Sequence, residues 1–179
     1  MRRHALAALC LFLAAGCEDP SGTRELTGTE GELIATFDGG KRFSVRGECR
    51  TGPSPVCASA TVYHHPEFGR SVGVDGIVVS GNRYEQLILS LSDSEVGTYT
   101  FGQGCDRCTF VTYSAGEWPG ASTVYPPPPN SWDNVSATVT ITDAGNGRLR
   151  GTFRTILAGR GLPDLEVREG RFDVPLRTP

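Results

Sequence analysis

The chain reads as all-β, and three observations predict that class. Between Val135 and Val174 apolar residues alternate with hydroxyl-bearing or charged ones at a period of two. Its 23 glycines and 12 prolines supply turns for many short strands. No window combines helical spacing with a start and a stop signal, so almost no helix is expected. About nine or ten strands at short, even spacing suit a single antiparallel β-sandwich, with a closed or partly open β-barrel as the alternative. The sandwich is preferred, because a long aperiodic segment, Ala115 to Asp133, should break any simple up-and-down circuit.

The strands follow in order. Leu33, Ala35 and Phe37 alternate up to a turn at Asp38-Gly39-Gly40-Lys41, and Phe43 and Val45 continue beyond it as a hairpin. Ser59 to His64 is a strand with Ala60, Val62 and His64 on one face, interrupted at Pro66 to Gly69. Val72 to Val79 is a strand that turns at Gly81-Asn82. Leu87, Leu89 and Leu91 alternate in the next. Gly97 to Phe101 and Phe110 to Tyr113 are short strands. In the last third, Val135, Ala137, Val139 and Ile141 share one face. Leu149, Gly151, Phe153, Thr155 and Leu157 repeat the pattern opposite Arg148, Arg150, Thr152 and Arg154, and Phe172, Val174 and Leu176 repeat it again. A two-residue Asn146-Gly147 turn would place Thr140 opposite Phe153, a solvent residue against a core one. The pattern therefore predicts an odd loop of three residues, which brings Val139 opposite Phe153 or Gly151. Asp143, Asn146 and the two glycines lack the spacing and terminal glutamate of a calcium loop.

The N-terminus carries an address. Met1-Arg2-Arg3-His4 precedes an apolar run from Ala5 to Ala15, too short to span a bilayer as a helix and shaped like a secretory signal. It closes with Leu13-Ala14-Ala15-Gly16-Cys17. Here the chain resembles bacterial lipoproteins, whose signal ends in small residues directly before a cysteine. The resemblance implies a signal peptide of residues 1–16 and a lipidated Cys17 that fastens the protein to a membrane of the cell envelope. Glu18, where an aspartate would favour inner-membrane retention in that family, implies the outer membrane, facing periplasm or surface. Ordinary secretion with cleavage at the small residues is the alternative. Residues 17–31 are rich in Pro, Ser, Gly, Thr and Glu and read as a flexible tether spanning on the order of 20 Å. The β domain is expected over 32–179. Loss of Arg2 and Arg3 with the signal takes the net charge from −3 to −5. That balance argues against nucleic acid as a partner.

The layout of the β domain is also similar to a loosely defined group of small Gram-negative lipoproteins of unknown function. The similarity rests on the turn at Asp38-Gly39-Gly40, on Gly97-Thr98-Tyr99, and on Gly151-Thr152-Phe153 followed by Gly170-Arg171-Phe172. It implies an anchored all-β domain and carries no activity.

Four cysteines remain in the domain: Cys49, Cys57, Cys105 and Cys108. An even number in an exported chain points to disulfides, and the local pairs 49–57 and 105–108 are favoured. The first would close a short loop worth about 2–3 kcal/mol. A four-cysteine zinc site is the rival, with Cys105-Asp106-Arg107-Cys108 as one half, but Cys49 and Cys57 are too widely spaced for the other. A thioredoxin-like redox pair would need a helix N-terminus beside a parallel sheet, and neither is predicted.

No serine is placed at the strand-to-helix turn of a nucleophile elbow, since almost no helix is expected, and no glycine loop cradles phosphate. His64 and His65 are adjacent on a strand and point to opposite faces, which suits surface histidines better than a metal site. Glu67, Asp75, Glu85 and Glu117 are ordinary strand or loop carboxylates unless the fold pairs them. No catalytic residue, cofactor or metal is assigned. The segment carrying Trp118, Tyr125 and Trp132 around Pro126 to Pro129 is the best recognition element, since aromatic residues on loops of rigid sheets often bind partners. The competing reading is that both tryptophans fold down over an open end of the core. The expectation is a non-enzymatic binding module for an envelope protein or polymer, with a purely structural envelope protein and a hydrolase as alternatives.

Overall fold

The computed structural model describes residues 28–49, 56–65, 69–117 and 130–177. They form β1 (Gly31–Phe37), a 3-10 turn (Asp38–Gly40), β2 (Arg42–Gly47), β3 (Val56–His65), β4 (Gly69–Ser80), β5 (Arg83–Leu91), β6 (Gly97–Thr100), β7 (Thr109–Glu117), β8 (Asn130–Asp143), β9 (Arg148–Gly159) and β10 (Leu165–Arg177). Lipidation at Cys17, the signal and most of the tether fall outside the described residues.

Two layers face each other. One is β2-β1-β10-β9-β8-β6 and the other is β3-β4-β5-β7. They are continuous at two corners. At the first, β8 pairs with β7 through residues 130–133 and changes partner to β6 at 138–141. At the second, β10 leaves β1 after Asp173 and pairs in parallel with β3 at Leu176 and Arg177. Strands β3, β4, β5, β7, β8, β9 and β10 thereby close a seven-stranded barrel, with β1, β2 and β6 added to it. The barrel alternative is the layout found. The long segment does not break the circuit, because its flanks pair from Thr112–Asp133 to Ala115–Asn130. Closure entropy grows only logarithmically with loop length, so a long connection is compatible with paired ends.

The layers cross at a steep angle. β1 starts beside Ala58 of β3, where a Cβ on Gly31 would fall 2.0 Å from the Ala58 carbonyl oxygen. It passes Gly76 of β4 at Leu33 and ends at Phe37, whose ring lies 5.0 Å from that of Tyr113 in β7. Such crossings turn their corners through bulged strands. β8 bulges between Asn134 and Ser136. The extra residue is Val135, which the alternation placed in the core and which is instead 55% exposed.

The β8–β9 hairpin uses a different device from the one expected. Asn146 and Gly147 both have positive φ, 54° and 68°, and the Arg148 N–H donates to Gly145 O at 3.0 Å. This is a two-residue turn, not a three-residue loop. Val139 still faces Phe153 and Ile141 still faces Gly151, because a bulge between Ile141 and Asp143 inserts the odd residue into the strand. Asp143 spends its oxygens on Gly145 N (2.9 Å) and Arg150 (2.8 Å).

Arg148 is a second correction. It lies on the outer face as expected, but is only 8% exposed. The chain entering β1 covers it: its guanidinium donates to Glu30 O at 3.0 Å, Gly28 O at 3.4 Å and Asp173 Oδ1 at 2.7 Å. A buried charge persists only when paired and hydrogen-bonded, and here both conditions hold.

The two Gly-x-Phe motifs explain each other. Phe153 pairs with Gly170 and Phe172 pairs with Gly151 across the antiparallel β9–β10 ladder. Each ring lies over the other strand's glycine: a Cβ on Gly170 would come within 2.4 Å of Phe153, and one on Gly151 within 2.5 Å of Phe172. The Gly151 position is also 2.3 Å from the Thr140 carbonyl, which cannot move aside. Gly151→Ala is therefore expected to lower stability by about 1–3 kcal/mol, the range for overpacked cores. Urea unfolding measures it, with Gly28→Ala, whose Cβ meets nothing within 4 Å, as the reference. Equal midpoints for the two variants would refute the ring-over-glycine packing.

Candidate functional site

The first corner carries the densest chemistry. Tyr113 of β7 is fully buried and is surrounded by rings: Phe37 at 5.0 Å, Trp132 at 5.4 Å and Phe43 at 6.2 Å. Lys41, the sole lysine of the sequence, stands at the end of the β1–β2 turn. Its Nζ donates to the Tyr113 hydroxyl at 2.7 Å, lies 4.9 Å from the centre of that ring, and approaches Glu85 of β5 at 3.7 Å. Tyr113 is also hydrogen-bonded to Glu85. Burial, and then the negative charge of Glu85, push the Tyr113 pKa far above the usual phenol range. The hydroxyl therefore keeps its proton, donating to Glu85 while accepting from Lys41.

Above this relay lies a depression of about 420 Å³ lined by Lys41, Asn82, Arg83, Glu85, Glu117 and Asn130. Two carboxylates, two cations and two amides converge there. Glu85 has Lys41 as its ion partner, and Glu117 stands opposite Arg83 in the β5–β7 register. The arrangement offers donors and acceptors to a ligand while its formal charges balance. β7 ends at Glu117 and β8 begins at Asn130, so the long segment leaves and returns at the rim of this mouth. A larger hollow of about 720 Å³ runs over the outer face of β8, β9 and β10. It is a trough on an exposed sheet face, and its buried polar residue, Thr155, is spent on the Ser136 carbonyl at 2.8 Å. The mouth is the better candidate on chemistry.

Trp132 is held as part of the fold. Its Nε1 donates to Pro163 O at 2.9 Å, and its indole occupies the space a Cβ on Gly159 would need. This is the covering role, with the ring packed on Tyr113. Trp118 and Tyr125 lie outside the described residues, as does Glu67. Lys41, Tyr113, Arg83, Asn82 and Asn130 were missed in the sequence. Lys41 and Tyr113 are 72 residues apart, and only closure of the barrel brings them together.

The remaining candidates are dispersed. His64 and His65 stand in the last pairs of β3, opposite Arg70 and Gly69. Asp75 lies on the outer face of β4, where both its oxygens accept from Gln86 Nε2 at 2.9 and 3.1 Å, and Tyr84 in turn donates to the Gln86 amide oxygen. Nearby, Cys57, Ile77, Val79 and Tyr84 form a small second cluster against Cys49. The cysteines are joined as the local pairs Cys49–Cys57 and Cys105–Cys108. Comparison with protein-family models, with curated proteins and with solved structures finds no match.

Trp132→Ala should cost about 3 kcal/mol, as large-to-small changes at packed aromatics do, and thermal unfolding would show it; a variant as stable as the parent would make Trp132 a free binding residue. Burial raises the Asp75 pKa, with the Gln86 bond opposing it. A raised folded-state pKa means that stability is lost as pH rises from the ordinary aspartate range of about 4 through the folded value. Asp75→Asn should therefore gain stability over the parent at pH 7, and the gain should vanish near pH 4; a pH-independent difference in unfolding midpoint would contradict this.

Proposed function

We propose that this chain is a lipid-anchored, non-enzymatic binding module of the cell envelope, fastened through Cys17 and recognising an envelope protein or polymer at the β7–β8 corner. The relative position of entry and mouth supports this reading best. The chain enters at Gly28 to Gly31, clamped by Arg148, and β1 then runs its full length to Phe37 and the mouth. At the rise of an extended strand the two are about 20 Å apart. An anchor on the tether would leave the mouth directed away from the membrane. The loop aromatic residues Trp118 and Tyr125 are assigned to contact the partner, and Trp132 to holding the corner.

Hydrolysis at the mouth is a second reading, because Glu85 and Glu117 line the same depression. The Lys41 ion pair and the Tyr113 hydrogen bond on Glu85 favour binding over catalysis, since both tie its carboxylate into the fold.

A pull-down from solubilised envelope membranes tests the proposal. The parent should retain a partner that a Trp118→Ala, Tyr125→Ala variant loses, while the melting temperatures agree within a few degrees. Equal capture by both would remove the loop from recognition.

A further inference from the structure

The two disulfides sit in opposite environments. Cys57 is 7% exposed and packs with Ile77, Val79 and Tyr84 under Cys49. Cys108 is exposed, and Cys105 is half-buried in the loop between β6 and β7. The second pair is separated by only three positions in sequence, so it constrains little of the unfolded chain. Hydrogen bonds hold its loop independently of the sulfur bridge. Ser92 N donates to Cys108 O at 2.9 Å, Cys108 N donates to Ser92 Oγ at 3.0 Å, and Thr100 N donates to Arg107 O at 3.0 Å. Arg107 is further tied to Val96 O at 2.8 Å and to Glu95 at 3.0 Å, with its guanidinium lying over Gly97.

We propose that Cys105–Cys108 is a reversible thiol–disulfide exchange site, the substrate of a dithiol oxidoreductase. The loop keeps its shape when the bridge opens, so the two thiols stay together and can close again. Exposed disulfides are the labile ones, whereas buried structural bridges resist reduction. In the exchange, a thiolate of the dithiol attacks Cys108 Sγ. The bond to Cys105 breaks, and Cys105 leaves as a thiolate that takes up a proton. The second thiolate of the oxidoreductase then attacks the mixed disulfide and releases Cys108, which is protonated in turn. Two electrons pass to the pair, and the attacking dithiol becomes a disulfide. The site is a substrate, so it needs no activating helix of its own. It stands apart from the mouth and does not depend on the binding proposal.

The test is reduction of the native full chain by dithiothreitol, with and without a catalytic amount of thioredoxin, followed by iodoacetamide and peptide mass mapping. Cys105 and Cys108 should be labelled together at least tenfold faster than Cys49 and Cys57, faster still with thioredoxin, and with the β-sheet circular dichroism unchanged. Reduction of both pairs at one rate, no acceleration by thioredoxin, or loss of the β signal on reduction would each overturn the proposal. A Cys105→Ser, Cys108→Ser variant supplies a second reading: it should melt within a few degrees of the parent, and an unfolded variant would make the bridge structural.

Discussion

Two phenylalanines, each lying on the other strand's glycine, set the register on which this fold depends. Phe153 over Gly170 and Phe172 over Gly151 allow one alignment of β9 with β10. A slip by one residue would put both rings against side chains and turn every core residue of the pair outward. β9 then fixes β8, and β10 fixes β1 and, beyond Asp173, β3. The barrel closes because β8 and β10 each serve two partners in succession, β7 then β6 and β1 then β3.

The corners follow from the same constraint. A strand that changes sheets needs an irregularity at the change, and β8 has one at Val135. Where it parts from β7, the Asn134 side-chain oxygen accepts from Val111 N at 3.0 Å, replacing the strand partner that the backbone no longer provides. The corner so formed gathers Phe37, Tyr113 and Trp132 from three distant parts of the chain, with Lys41 and Glu85 above them. The chemistry of the mouth is a product of closure and not of any local motif.

This explains what the sequence disclosed. Alternation placed the inward faces of β1, β2, β5, β9 and β10 correctly, because a period of two survives wherever one face is dry. It failed at Val135, since a bulge shifts the period without changing composition. It predicted the right partner for Phe153 and the wrong turn, because the odd residue can sit in the loop or in the strand with the same result. Arg148 looked like a solvated strand residue, and only the carbonyls of Gly28 and Glu30 reveal its burial. The disulfide pairs were legible because each is local. Lys41 and Tyr113 were not, because their meeting is set by the crossing of the two layers.

Proton NMR of the folded domain probes the register most directly, since a glycine beneath an aromatic ring has its α-protons shifted by the ring current. The packing predicts strongly upfield α-protons for Gly151 and Gly170, with cross-relaxation from Gly151 to the Phe172 ring and from Gly170 to the Phe153 ring. Ordinary β-strand shifts at both glycines, without those ring contacts, would contradict the β9–β10 alignment and the closed barrel built on it.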